Sequence, residues 1–404
     1  MGNDLARMQY VGIARPAHIG ALLRLGPEPL SVFWSNPSRT LHVTGLGVAG
    51  EGGGDVTWLS MQPPVAPPGP WFGGWAFDPE RAWDGFDGER WILPEVLAWW
   101  DGARPWMAAF GPAGTSIQAL EARLDRVQEV EAITSSAKAR LIPGSRKFWD
   151  ARVEAALSAI AGGRFEKVVL ARVIELESDQ PFAERAVLKS LEARHRQCWS
   201  FLVRGRDGRA FVGASPESLC EACGSSFSTD ALAGTAAGGD GFRLMQSDKD
   251  RREHQSVVDG IRESLTPFAA QLKVAAIPRV KVLANVDHLF TPIQATLKPG
   301  IRALDVARAL HPTPAVAGRS RAAALEWLRV NEGFSRGWYT GAVGTMGPGG
   351  LTLAVALRSA LISGARAQVF VGAGIVAGST AEAEWLETER KSKAMLPALG
   401  VHDE

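Results

Sequence analysis

Cysteine is nearly absent: Cys198, Cys220 and Cys223 are the only three in 404 residues. Three cysteines cannot build a disulfide framework, and their scarcity fits a reducing compartment. Cys220-x-x-Cys223 has no second pair and reads as incidental to a strand edge, not as a zinc or redox motif. Neither sign of charge is in excess, with Lys+Arg 44 against Asp+Glu 43. The basic surplus of a general nucleic-acid or anionic-membrane binder is therefore missing. No apolar run reaches the roughly 18–20 residues of a membrane helix. The most apolar strip, 367–378, is short and rich in glycine. MGNDLARMQY carries early charges and no secretion-signal core, so a cytoplasmic location is the expectation. No phosphate loop, HExxH or serine nucleophile elbow appears. Lysine is also scarce, at ten of the 44 basic residues, so a lysine inside an apolar strand stands out.

At 46% apolar and 22% charged residues, the composition is that of a globular chain without long disorder. Its length predicts a large composite domain or two domains. Residues 1–145 alternate short apolar pieces, such as SVFW and WFGGWAF, with Pro/Gly breakers, the pattern of a β-rich region. The many tryptophans there favour packing over a ligand cage. From 146 to 404 the texture changes. KFWDARVEAALSAIAGG reads as a helix stopped by glycines, and KVVLARVIEL as a strand. CWSFLVRG and RAFVGASPESLCEAC predict a hairpin over Arg206-Asp207-Gly208, and KVLANVDHLF a strand ending at His288. LTLAVALRSALI and AQVFVGAGIV predict further strands, and AEAEWLETERKSKAML a terminal helix. Strands joined as hairpins with interspersed helices predict an α+β fold with large, mainly antiparallel sheets.

Several residues could carry chemistry. Glu384, Glu387 and Lys391 fall within roughly 60° of one face of the terminal helix. That face is either a solvated one with an i,i+4 pair or a binding surface beside the glycine-rich strand. Asp250, Glu253 and His254 mark a second acidic helix, and two such helices could converge on magnesium, which prefers carboxylate and water oxygens. Lys167 opens an apolar strand and either snorkels outward or is desolvated for use as a base. Glu217 follows a Ser-Pro turn. Arg358 interrupts an apolar strand, either buried and paired or binding a carboxylate. His288 and His311 each sit where an element meets a loop, where structural histidines are common.

FEKVVLAR, GASPESL, ALAGT, SDKDRREH, HLFTPIQATL, LHPTPAVAG, RGWYTGAVG, VALRSALI and GAGIVAGSTAEAEWLETERKSK, in this order, resemble the chorismate-utilising enzyme family. Within it they are most similar to the isochorismate-forming members. The strings cover about Phe148 to Leu396. The resemblance implies the family's fold and a magnesium-dependent conversion of chorismate to isochorismate. Lys167 would activate water at ring carbon 2, and Glu217 would protonate the hydroxyl leaving ring carbon 4. Glu253, Glu384 and Glu387 would form the magnesium site. Arg358 and Lys391 would hold substrate carboxylates, with Gly234, Thr235, His288, Gly372, Ala373 and Gly374 around the ring. Two departures stand out: the loop after Thr235 is short and lacks arginine, and Thr345 replaces the usual tryptophan. The resemblance further implies chorismate as small-molecule partner and no glutaminase subunit, and it allows a monomer. It leaves open whether the product serves menaquinone, a catechol siderophore or salicylate. The alternatives are a salicylate synthase, which goes on to eliminate pyruvate, and a catalytically silent chorismate-binding protein.

Overall fold

The computed structural model describes residues 10–17, 29–52, 59–61, 71–100, 103–127, 138–142, 144–283, 286–347 and 349–401. The proline-rich run 62–70 lies outside the described residues. Two large, mainly antiparallel sheets dominate, of thirteen and ten strands among the described residues. The α+β expectation holds.

Both sheets combine N-terminal and C-terminal strands. In the larger, Leu30–Ser35 pairs with Trp199–Arg204. In the smaller, Trp71–Trp75 pairs with Ala342–Gly347. Between them lies an aromatic core that includes Trp34, Trp91, Trp99 and Trp338, each almost wholly buried. At roughly 25 cal/mol per Å² over 150–250 Å², each such ring contributes on the order of 4–6 kcal/mol before entropic losses. These tryptophans are packing residues, as their abundance in the β-rich region suggested.

The expected helix forms over Arg146–Ala161 and ends at Gly162; Trp149, Val153 and Ala156 are its buried stripe. Trp199–Arg204 and Ala210–Ser215 form the expected hairpin. Three strand expectations need correction. GASPESLCEAC is not one strand: Ala210–Ser215 belongs to the larger sheet and Ser218–Cys223 to the smaller. Pro216 has no N–H to continue a ladder, so the chain crosses between sheets there. LTLAVALRSALI divides likewise into Gly350–Val355 and Ser359–Ser363, one in each sheet. His288 does not end a strand; it is the third residue of Val286–Leu297, against which the short Arg279–Val282 pairs.

The two crossings are neighbours. Ala210–Ser215 pairs with Ser359–Ser363, and Ser218–Cys223 with Gly350–Val355. Between those pairings the Ala214 N–H donates to the Arg358 carbonyl, and the Val355 N–H to the Glu217 carbonyl, both at 3.1 Å. The topology thus sets Glu217 and Arg358 side by side at the seam between the sheets. Arg358 has φ 46°, a left-handed conformation that a non-glycine residue adopts at a cost on the order of 1–3 kcal/mol.

Candidate active site

A cleft of about 800 Å³, counting the part open to solvent, lies at this seam. It is lined by Lys167, Glu217, Gly234, Thr235, Glu253, His288, Arg358, Gly372, Gly374, Glu387 and Lys391. Eleven of the thirteen residues to which the family resemblance gives a role therefore meet in one place. Ala373 and Glu384 are not on its wall. Side chains alternate along the strand Arg366–Val376, so Gly372 and Gly374 face the cleft while Ala373 packs behind with Val168, Leu170 and Ile375. Glu384 is buried in the helix Ala381–Ser392, one turn before Glu387.

Lys167 does not snorkel. Its side chain is 4% exposed, and Nζ donates to Glu253 Oε1 at 2.8 Å. It heads the strand Lys167–Ser178, which pairs with Arg366–Val376 so that Val169 stands opposite Gly374. A β-carbon at Gly374 would lie 2.9 Å from Lys167 Cε and 3.2 Å from Glu253 Oε1. Glycine there makes room for the lysine. Glu253 comes from the helix Asp248–Leu265, capped by the Ser247 hydroxyl, which accepts from the Asp250 N–H. The neighbouring His254 turns away and hydrogen-bonds Thr291 at 2.7 Å.

Glu217 is buried, and burial pushes its carboxyl up to about 8, although the Lys281 ammonium pulls the other way. Lys281 Nζ donates to the carbonyl of Pro216 at 2.6 Å, directly before Glu217. A carboxyl in this state is protonated at neutral pH and can donate. Across the cleft, Lys391 donates to Glu387 Oε1 at 2.7 Å and to the Gly372 carbonyl at 3.0 Å.

His288 Nδ1 lies 3.0 Å from the Gly234 carbonyl and 3.2 Å from the Thr235 hydroxyl. A carbonyl only accepts, so Nδ1 carries a proton, and a ring pKa near 3 leaves it the only one at neutral pH. Burial, Arg358 and Lys391 together hold its pKa down to about 3. Gly234 makes this contact possible: its φ of 75° accompanies the register shift that separates Ala233 from Thr235. His311 lies outside the cleft wall. It accepts from Trp75 Nε1 at 3.0 Å and donates from Nε2 to the Thr340 carbonyl at 2.8 Å, a structural histidine.

Arg358 is half-buried, with its enclosed Nη1 lacking a partner. Its guanidinium sits against the buried Cys198 thiol. A guanidinium nitrogen left without a partner on a cleft wall suits an anionic ligand, and a planar guanidinium suits a carboxylate. Thr345 pairs with Phe72 and Thr352 and is not on the cleft wall. Cys220 is buried and Cys223 exposed, both free thiols.

The residues alone did not reveal Tyr339, Val316, Thr340 or Phe370, which also line the wall. Tyr339 stacks on Phe370 with ring centroids 5.2 Å apart. Only two tyrosines occur in the chain, and that rarity was the available signal.

This constellation is an enzyme site: a buried lysine, a protonated glutamate, a free arginine nitrogen and two lysine-paired carboxylates share one cleft. Residues 61–400 match the model of the chorismate-binding enzyme family, and the chain belongs to that family. It is 34% identical to the salicylate biosynthesis isochorismate synthase of Pseudomonas aeruginosa, over 97% of this chain and 92% of that protein. It is 32% identical to isochorismate synthase MenF of Bacillus subtilis, over 81% and 74% of the two chains. Among solved structures it resembles the menaquinone-specific isochorismate synthase MenF of Escherichia coli, with TM-score 0.83 and 26% identity, covering 96% and 94%.

Proposed function

We propose that the chain is an isochorismate synthase, adding water at ring carbon 2 of chorismate and expelling the hydroxyl at ring carbon 4, reversibly. The observation that carries this reading is the pairing of buried Lys167 with a protonated Glu217 in one cleft. Water is a poor nucleophile and hydroxide a poor leaving group, so the exchange calls for a base and an acid together. Lys167 in its free-base form takes a proton from the attacking water at Nζ. Glu217 gives its proton to the departing oxygen. One proton enters the enzyme and one leaves, so the reverse reaction starts from Lys167 protonated and Glu217 ionised.

Chorismate carries two carboxylates. The partnerless Nη1 of Arg358 supports binding of one of them, and Lys391, held at Gly372, supports the charge of the other. Neutral His288, Thr235 and the Tyr339–Phe370 stack would border the ring. The relatives' names agree with this reading.

The donor set fits magnesium. Glu253 and Glu387 enter from two helices, and no cage of three or more His, Cys, Asp or Glu groups occurs among the described residues. Magnesium commonly takes one or two protein carboxylates and fills its remaining positions with water and ligand oxygens. Glu253 and Glu387 would hold it, with Glu384 buried one turn away. Bound there, the ion would neutralise a substrate carboxylate and fix its orientation. Because water is the nucleophile, no glutaminase subunit is required.

The test is chromatography of chorismate with enzyme and magnesium, without ammonium. Chorismate and isochorismate should approach one equilibrium mixture from either direction. Stoichiometric pyruvate with salicylate would instead make the protein a salicylate synthase, and no turnover at all would make it a binding protein.

A further inference from the structure

One deeply buried ion pair, Glu332–Arg336, takes no part in the chemistry above. Its side chains are 4% and 2% exposed, and Arg336 donates to Glu332 through Nε and Nη2, each at 2.6 Å. Two ions this far from water are costly to bury, and apolar residues of the same volume would often serve stability as well. Their other contacts give the pair a specific task.

The strand Lys167–Ser178 is fully paired along one edge by Arg366–Val376. Its other edge is paired only at its ends, by Gly318–Arg319 at residues 167 and 168 and by Ala139–Ile142 from residue 175 onward. Three of the polar groups left between are met by a loop and by the ion pair. The Val169 N–H donates to the Ala317 carbonyl at 3.0 Å. The Val169 carbonyl accepts from Arg336 Nη2 at 2.6 Å, and the Ala171 N–H donates to Glu332 Oε1 at 2.9 Å. The pair stands where a neighbouring strand would be.

The same guanidinium reaches two more pieces of the cleft. Arg336 Nη1 donates to the Val316 carbonyl at 2.9 Å and lies 3.3 Å from the Thr340 hydroxyl. Thr340 has φ 58°, a conformation that surrounding contacts must hold. Its carbonyl is gripped by His311 and its N–H donates to Ala356. Val169, Val316 and Thr340 all line the cleft. They come from three separate segments, and Arg336 is bonded to each. Its face is covered by Phe77, whose ring centroid is 4.3 Å from Cζ.

We propose that Glu332 and Arg336 are positioning residues that fix the Val316 and Thr340 walls of the cleft against the strand bearing Lys167. This rests on the isochorismate synthase reading, since what is positioned is the base relative to the ring. A lysine at 336 could not reproduce the grip, because an ammonium lacks the planar fork that serves several acceptors in fixed directions. A displacement of about 1 Å between reacting groups costs on the order of 100-fold in rate.

The test compares wild type, Arg336→Lys and the paired replacement Glu332→Leu/Arg336→Met by kcat, KM and Tm. The paired replacement leaves no uncompensated buried charge, but it strips partners from the Val169 and Val316 carbonyls and the Ala171 N–H, so Tm should fall whether or not the pair positions the cleft. The expected result is a kcat about 100-fold lower with KM changed less than about threefold. A purely structural pair would instead lower Tm and leave kcat per folded enzyme near that of wild type, and that outcome overturns the proposal. If the paired replacement does not fold, Arg336→Lys decides: kcat at least about tenfold down in a folded protein supports positioning, and wild-type kcat overturns it. A wild type that forms no isochorismate overturns the functional reading and this inference together. An active wild type with unaffected variants overturns this inference alone.

Discussion

Lys167 Nζ donates a 2.8 Å hydrogen bond to Glu253 Oε1, so the residue assigned as base and a residue assigned to the metal share one contact. The two are 86 positions apart, one on a strand and one on a helix, and meet across the glycine at 374. The coupling makes the roles separable by mutation. Lys167→Ala should lower kcat by at least about 1000-fold while chorismate affinity changes little, because the loss is confined to the transition state. Steady-state kinetics beside equilibrium titration of chorismate fluorescence checks this. A variant retaining more than about a tenth of wild-type kcat would leave Lys167 without the role of base.

Gly374→Ala tests the space around that contact. Its β-carbon would press on Lys167 Cε at 2.9 Å and Lys167 Nζ at 3.3 Å. The lysine must shift, and about 1 Å of shift should lower kcat on the order of 100-fold with Tm nearly unchanged. Unaltered kcat would mean that the lysine need not stand where it does.

The acid carries a signed pH dependence. Glu217 titrates at about 8 in the folded protein, raised by burial. Its proton-donating form exists below that value, so kcat/KM should fall as pH rises through about 8. The reverse reaction draws on the same total number of enzyme protons and should show the same limb. Stability follows the same group. A folded pKa raised from 4.5 to about 8 contributes stability that is complete below 4.5 and lost as pH rises through about 8. Glu217→Gln should therefore lose turnover and flatten the fall in Tm across that window. A kcat/KM that stays flat as pH rises through this region would count against Glu217 as the acid.

Arg358 offers an unsatisfied guanidinium nitrogen, so Arg358→Met should act mainly on binding. Loss of a charge-assisted carboxylate contact of about 1.5–3 kcal/mol corresponds to roughly 10- to 150-fold weaker chorismate binding. Isothermal titration reads this directly, and an unchanged Kd would place the substrate carboxylates elsewhere.

Removal of magnesium by chelator should abolish turnover, and added magnesium should restore it. Glu387→Gln and Glu253→Gln should each weaken metal binding, read by titration of the ion independently of activity. Full activity of either variant in excess chelator would contradict the assignment.

Much of this site was legible in the sequence, but unevenly. Strings such as KVVLAR, SPES and GAGIVAGS pointed to Lys167, Glu217, Gly372 and Gly374, which all line the cleft, because strand, turn and close approach leave marks in residue type. The outer limits of hairpins and helices were readable from periodicity and from Gly162. What GASPESLCEAC and LAVALRSALI did not disclose was that each changes sheet midway, since both halves are equally apolar. That crossing buries Glu217 and leaves Arg358 at its positive φ. The tautomer of His288 depends on a carbonyl 54 residues away, brought near by one register shift. Ala373 was placed with its neighbours by string, although strand alternation turns it to the opposite face. The Glu332–Arg336 pair has the i,i+4 spacing of an ordinary exposed helix pair, and nothing local signals that it is buried.

The most direct test of the account is to run the reaction in heavy-oxygen water and analyse the product by mass spectrometry. Water attack at ring carbon 2, assisted by Lys167, predicts isochorismate carrying one solvent-derived oxygen and no pyruvate. Isochorismate without the label would show that the hydroxyl migrates within the substrate, and labelled or unlabelled salicylate with pyruvate would show that the reaction continues past isochorismate; either result would contradict it.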